Sequence, residues 1–444
     1  MPLSASRPLC TLRRRDHLEN SPMSGADTFD VAIVGAGYVG VPLAQTFADA
    51  GRRVLLIEIN PRVVESLNRG ESHIEDVASE LLAPHAAAGR IVATTDYGRA
   101  AEAAAVLIAL PTPLTKQREP DLSYVESAAR SLAPVIRKGQ IIVLESTTYP
   151  GTTREILKPI LEAGSGMTAG VDFHLAMSPE RVDPGRTDWT TKTTPKVLGG
   201  LTPACCEAAA DVYRAAIDTV HIVSTPEAAE LTKLLENIFR SVNIALVNEL
   251  AQLCDRMNID VWEVIGAAAT KPFGFMPFQP GPGLGGHCIP LDPYYLSWKA
   301  REFDFSTRFI ELAGEVNNNM PYFCRSVISQ ALNHTLQKSL SGSKVLVLGV
   351  AYKADIGDCR ETPAEKLIHL LKNAGANVAF HDPFVSEFEG LTCSPLTPED
   401  HDCVAIVTAH STIDYADVVR RSKVTVDFRN ATRGHEDLGK VWKL

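Results

Sequence analysis

The stretch DVAIVGAGYVGVPLAQTFADAGRRVLLIEIN, residues 30–60, constrains the fold of this chain more than any other. An apolar run gives way to a glycine turn, then to helical spacing, then to a second apolar run that stops at Glu58. That order is one βαβ unit. Gly35, Gly37 and Gly40 form GxGxxG at the strand-to-helix junction. The first permits the tight turn, the second lets a pyrophosphate approach the backbone, and the third lets helix and strand pack closely, with the helix N-terminus favouring the negative charge. Glu58 falls about 20 residues on, where a carboxylate accepts from ribose hydroxyls and repels a 2′-phosphate. Together these features favour NAD over NADP. Arg62 either stacks on the adenosine end or is a solvated helix arginine.

Further strands are expected at 104–110 (AAVLIAL), 140–146 (QIIVLES) and 173–179 (FHLAMSP), separated by alanine-rich helical segments. Alternation of β and α argues for a parallel doubly wound sheet with ligands at the carboxyl ends of its strands. From Ser224-Thr225-Pro226-Glu227, which has the form of a capping box, AAELTKLLENIFRSVNIALVNELAQLCDRM keeps helical spacing. Residues 342–383 then repeat the strand, turn, helix, strand plan, and 402–410 and 423–430 add strands. The expected fold is α/β, with two Rossmann-like doubly wound domains joined by a long central helix and a helical middle domain. The expected divisions are 1–28 disordered, 29–220 NAD-binding, 221–330 helical with the Cys loop, and 331–444 a second Rossmann-like domain.

A chain of 444 residues with 45% hydrophobic content can bury more than one core. The net charge of -10 lacks the basic surface that nucleic-acid binding draws on. The longest apolar stretch, residues 100–110, is interrupted by Glu102 and falls short of the roughly 20 residues a membrane span needs. Nine cysteines without paired CxxC spacing read as reduced cytoplasmic thiols, neither a disulfide frame nor a metal site. Residues 1–28, with the basic run Leu12-Arg13-Arg14-Arg15, are expected to be disordered in preference to a targeting peptide, and Met23 is an alternative start.

The chemistry lies in the middle. GPGLGGHCIPLDP at 281–293 is a loop with a thiol, Cys288, at its centre. Small neighbours let a substrate approach, and a thiolate can add to an aldehyde to give a thiohemiacetal that loses hydride to become a thioester. A lone cysteine is more often a small buried hydrophobe. Its candidate company changes that balance. Lys233 and Asn237 lie four apart on one helix face and suit an oxyanion, while Glu180 and Asp292 suit handling of a water. Asp292 has a second reading, as the N-cap of a helix that starts with Pro293. In the second Rossmann-like unit, Lys353, Asp355, Asp358, Arg360 and Glu361 follow a strand, and the two cations could hold another phosphate-bearing ligand.

As a set these residues resemble the UDP-glucose/GDP-mannose dehydrogenase family. VAIVGAGYVG, LPTPL, ESTTYPGTT, MSPERVDPG, AELTKLLEN, GPGLGGHCIPLDP, GVAYKADIGDCRET and VDFRN occur in the family's order over about residues 29–435. Within the family, GGHCIPLD resembles the members that oxidise UDP-N-acetyl-D-glucosamine, whereas those acting on UDP-glucose carry a GGSCFxKD type of segment. His287 and Pro290 thus point to a UDP-N-acetylhexosamine. Where UDP-glucose enzymes carry a second glutamate in NPEFLAEG, this chain reads SPERVDPG with Pro184.

The resemblance implies that Cys288 is the nucleophile, Lys233 and Asn237 the oxyanion and hydroxyl contacts, and Glu180 and Asp292 the water-handling carboxylates. For NAD it implies Gly35, Gly37, Tyr38, Val39, Gly40, Glu58, Arg62, Thr112, Thr147 and Arg360. For the UDP-sugar it implies Arg181, Val182, Lys233, the glycines Gly283, Gly285 and Gly286, Lys353 and Arg429. It implies a homodimer or larger homo-oligomer, while the charge, the hydropathy and the cysteine spacing argue for no nucleic acid, no membrane and no metal. Rival readings are oxidation of UDP-glucose or UDP-N-acetyl-D-mannosamine, a β-hydroxyacid-type dehydrogenase in which Lys233 alone does the proton work, and a non-catalytic NAD or nucleotide-sugar sensor.

Overall fold

The computed structural model describes residues 28–74, 77–115, 117–182, 188–286 and 288–444. The expectations placed on residues 1–27, Pro184 and His287 lie outside the described residues.

The chain starts with β1 (Phe29–Val34), α1 (Gly40–Asp49), β2 (Val54–Ile57), α2 (Pro61–Asn68), α3 (Ser79–Ala87), β3 (Ile91–Thr94), β4 (Ala103–Ile108), α4 (Ser123–Leu132), β5 (Ile141–Leu144) and α5 (Lys158–Ser165). It continues through β6 (His174–Met177), β7 (Lys196–Gly200), α6 (Pro203–Arg214) and β8 (Val220–Val223). These strands form one eight-stranded sheet in the order β3-β2-β1-β4-β5-β6-β7-β8. Helices cover both faces, so strands such as β4 are apolar almost throughout, AAAVLI, instead of alternating. The expected all-parallel order fails at one place. Among the described residues no helix lies between β6 and β7, and β7 returns antiparallel, pairing Ala176 with Gly200 and Met177 with Gly199.

The expected long helix is α7 (Pro226–Met257). Its N-cap is Thr225, whose hydroxyl accepts from the Ala228 N–H at 3.2 Å. The expected capping box does not form: Ala228 occupies the third position, and Glu227 pairs instead with Arg154 at 2.6 Å. α8 (Val261–Ala269), α9 (Asp292–Ala300) and α10 (Arg308–Leu336) complete the helical middle, and α10 packs along α7. The last unit has β9 (Lys344–Leu348), α11 (Pro363–Asn373), β10 (Asn377–His381), a hairpin of β11 (Glu387–Phe388) and β12 (Leu391–Thr392), β13 (Cys403–Ile406), α12 (Tyr415–Arg421), β14 (Thr425–Asp427) and β15 (Val441–Lys443). Its five-stranded sheet, β10-β9-β13-β14-β15, is parallel throughout. The fold is thus the expected pair of Rossmann-like units around a helical middle. Among the described residues no helix is long and apolar enough to cross a membrane, and the eight described cysteines form no disulfide.

Candidate active site

The glycine turn has the shape a dinucleotide needs. Gly35 has φ of 100°, and a Cβ there would lie 2.4 Å from the Ala109 carbonyl; one on Gly40 would lie 1.9 Å from the Gly35 carbonyl. Only glycine fits at either position. A Cβ on Gly37 would meet nothing within 4 Å, so the middle of the turn opens on space at the N-terminus of α1. Glu58 ends β2 with one oxygen accepting from the Ala36 N–H at 3.1 Å and the other from the Asn60 N–H at 3.0 Å. It braces the turn. Tyr38 lies on the same turn, Val39 immediately precedes α1 and packs on the core, and Arg62 is exposed on α2. The Thr112 hydroxyl donates to the Thr147 carbonyl at 2.7 Å, joining two loops at the sheet's carboxyl edge. These groups fit NAD: a cradle open at Gly37, an acid at the end of β2, and two threonine loops facing it.

Cys288 is half-buried in the turn that leads into α9, and its carbonyl accepts from the Asp292 N–H at 2.9 Å. Asp292 is the first residue of α9, and the preceding residue, Leu291, makes no side-chain cap. The N-cap reading is therefore corrected: the Asp292 carboxylate turns to α7, where it accepts from the Asn237 side-chain amide. The Asn237 carbonyl oxygen in turn accepts from Arg240. Burial drives the Asp292 carboxyl up to about 6, against the Lys233 charge, the Asn237 hydrogen bond and Arg240. Lys233, Asn237 and Asp292 are all buried. Tyr295, one turn into α9, lies near both Cys288 and Asp292 and donates to the Thr112 carbonyl. The thiol loop is thereby tied to the proposed cofactor loop.

Glu180 follows β6, a strand that packs against α7. One of its oxygens accepts from the backbone N–H groups of Arg181 at 2.8 Å and Val182 at 2.7 Å, and the other accepts from Lys196 at 3.1 Å. Burial opposes its charge, yet Lys196 and the two N–H groups bring its carboxyl below the usual range. The expected sugar contacts Arg181 and Val182 are thus engaged within the protein. Arg181 donates to the Pro195 carbonyl and to Glu236, each at 2.6 Å, and the Val182 N–H belongs to Glu180. The Arg181–Glu236 pair docks the loop after β6 onto α7, next to Asn237.

The glycine loop has a tighter role than admitting substrate. A Cβ on Gly285 would come within 2.7 Å of Tyr352, and one on Gly286 within 3.0 Å of the Tyr352 ring, while Gly283, at φ 136°, lies against Pro363 and Asn317. The Gly286 N–H donates to the Arg360 carbonyl at 3.1 Å. These glycines let the thiol loop lie against the loop after β9, where Lys353 is half-buried. Arg360 pairs with Asp358 and sits 4.6 Å over the ring of Tyr38, so it does reach across to the glycine turn of the first unit. Arg429 donates to the Val407 carbonyl at 2.8 Å and packs beneath Gly281, where a Cβ would lie 2.5 Å from its guanidinium. A cleft of about 580 Å³ opens beside the thiol loop, lined in part by Leu284, Pro290, Tyr294, Asn318 and Arg118.

Three groups that sequence reasoning passed over converge here: Glu145 after β5, Lys196 at the start of β7 and Tyr213 on α6. Lys196 lies 2.5 Å from Glu145, and the Tyr213 hydroxyl donates to the same carboxylate. The signal was faint. A lysine directly before the apolar run VLGG reads as an ordinary strand boundary unless the strand's direction is known.

Three family models match the chain: the UDP-glucose/GDP-mannose dehydrogenase family NAD binding domain over residues 29–217, its central domain over 227–319 and its UDP binding domain over 346–434. A UDP-N-acetyl-D-mannosamine dehydrogenase from Escherichia coli (strain K12) is 37% identical over 352 residues, covering 77% of this chain and 82% of that one. An NDP-N-acetyl-D-galactosaminuronic acid dehydrogenase from Ralstonia nicotianae is 37% identical over 348 residues, covering 77% and 79%. The solved structure of a UDP-D-ManNAc dehydrogenase from Pyrococcus horikoshii superposes with a TM-score of 0.86 at 31% identity, covering 93% of this chain and 98% of that one.

Proposed function

The chain belongs to the UDP-glucose/GDP-mannose dehydrogenase family, whose members are NAD-dependent oxidoreductases of nucleotide sugars, and we propose that it oxidises the C6 hydroxymethyl of UDP-N-acetyl-D-glucosamine to the carboxylate through a Cys288 thioester. One observation carries this reading: the Cys288 loop runs directly into Asp292, whose buried carboxylate is held by Asn237 beside Lys233.

NAD held by the Gly35–Gly40 turn and Glu58 would supply the hydride acceptor for the two oxidations. The chain's own residues do the rest. The Cys288 thiolate adds to the C6 aldehyde, forming a carbon–sulfur bond, and the resulting alkoxide is stabilised by the Lys233 ammonium and the Asn237 amide. After the second oxidation the thioester carbonyl is attacked by a water that gives a proton to Asp292 or Glu180. The carbon–sulfur bond breaks, and carboxylate and thiol leave. An acid held near 6 is poised for that transfer near neutral pH. We assign residues 29–220 to NAD, 221–330 to the thiol chemistry and 331–444 to the UDP moiety.

UDP-N-acetyl-D-mannosamine, the C2 epimer, is the second reading, and the names of the similar proteins support it. Pro290, on the cleft wall, supports the first. The test is NADH formation from each UDP-sugar with the yield counted. Two NADH per sugar from UDP-N-acetyl-D-glucosamine is expected; one would contradict the thioester route.

A homodimer is supported by one face of α7. Leu231, Leu235, Phe239, Leu246, Leu250 and Leu253 recur at helical spacing and are exposed, Leu235 by 62% and Leu246 by 55%. The opposite face carries Lys233 and Asn237. An exposed apolar stripe of this length marks an interaction surface.

A further inference from the structure

We propose that Lys196 is a positioning residue that holds Glu180 ionised and aimed for thioester hydrolysis. This rests on the reading of Glu180 as a water-handling carboxylate.

The argument starts from topology. β5 and β6 run parallel, so Glu145 and Glu180, which follow them, both emerge at the sheet's carboxyl edge. β7 is antiparallel to β6, with Ala176 opposite Gly200 and Met177 opposite Gly199. The same register carried along the chain sets Glu180 opposite Lys196. The reversal thus delivers the first residue of β7 to the edge where its neighbours end.

Burial then makes the pairing consequential. The Lys196 side chain is 4% exposed and touches two carboxylates, Glu145 at 2.5 Å and Glu180 at 3.1 Å, while its ammonium lies 5.5 Å from the Tyr213 ring centroid. One ammonium serves two acids of unequal surroundings. Glu180 also receives two backbone N–H groups, whereas Glu145 receives the Tyr213 hydroxyl and is completely enclosed. Burial pushes the Glu145 carboxyl up, while Lys196 and the two N–H groups hold Glu180 down. With one Glu180 oxygen spent on the two N–H groups, the ammonium fixes where the other points. Without Lys196, Glu180, whose side chain is only 15% exposed, would lose the ammonium paired with it, and partial burial would favour its protonated, non-basic form.

The test compares Lys196→Met, Lys196→Arg, Glu180→Gln and the double variant K196M/E180Q. The measurements are kcat and KM against pH and, by intact-mass spectrometry, acyl-enzyme on Cys288 during turnover. For K196M the acidic limb of the kcat profile should move up by about 1 to 3 pH units. Its kcat at neutral pH should fall roughly tenfold or more, with acyl-enzyme accumulating and KM for the sugar little changed. K196R should restore the limb, and K196M should add nothing in the E180Q background. An unmoved limb without acyl-enzyme in folded K196M would overturn the proposal. Should K196M fail to fold, K196M/E145Q, which removes one acid together with the cation, carries the same test. If E180Q itself turns over normally, the reading of Glu180 is wrong. If E180Q is impaired and the Lys196 variants are not, only the role of Lys196 falls.

Discussion

The Asp292 carboxylate accepts its hydrogen bond from the Asn237 side chain on α7 instead of capping the helix that Asp292 begins. Its raised pKa means that the folded chain holds the proton more tightly than the unfolded chain does. Stability is therefore full below the ordinary value of 3.8 and falls as pH rises through about 6. At about 1.4 kcal/mol per unit, the cost of the charged form is of order 2 to 3 kcal/mol. Asp292→Asn should raise the melting temperature at pH 8 but not at pH 4, and it should lower kcat by roughly 10²-fold or more. A variant destabilised at pH 8 would contradict the account.

Cys288→Ser should abolish formation of the acid while leaving NAD binding intact, since the change keeps the shape of the side chain and removes only the nucleophilic sulfur. Product analysis after prolonged incubation with UDP-N-acetyl-D-glucosamine is the check. Normal acid formation would exclude the covalent route.

Arg360 over Tyr38 spans the two Rossmann-like units at the glycine turn. Arg360→Ala should weaken NAD binding by about 2- to 30-fold, the range of a partly desolvated cation–π contact. Calorimetric titration with NAD gives the number, and an unchanged Kd would remove Arg360 from the cofactor site.

The α7 stripe predicts that Leu235→Glu together with Leu246→Glu yields a monomer in light scattering after size exclusion. Both side chains are exposed in the single chain, so its fold should survive and far-ultraviolet circular dichroism should be unchanged. A species of unaltered mass would place the subunit contact elsewhere.

Much of this architecture was legible in the sequence because periodicity reports local structure. The glycine turn, Glu58 and α7 lie where hydrophobic spacing puts them, and Cys288 stands out by its setting. The direction of β7 was not legible, since a short apolar run carries no sign of which way it pairs. Glu145, Lys196 and Tyr213, distant in sequence and meeting only across three neighbouring elements, were hidden for the same reason. The glycines of the thiol loop stand out in the sequence, but their packing partners do not. Gly285 and Gly286 lie against Tyr352, a residue of another unit, and Gly283 against Pro363 and Asn317. The N-cap reading of Asp292 fails because its carboxylate is taken by a partner on α7, which no local pattern announces.

The antiparallel pairing of β6 and β7 brings Lys196 to the edge where Glu180 emerges, and the Arg181 and Val182 N–H groups hold the carboxylate there against the ammonium. The sheet's one reversal is thereby what gives two acids from parallel strands a shared cation.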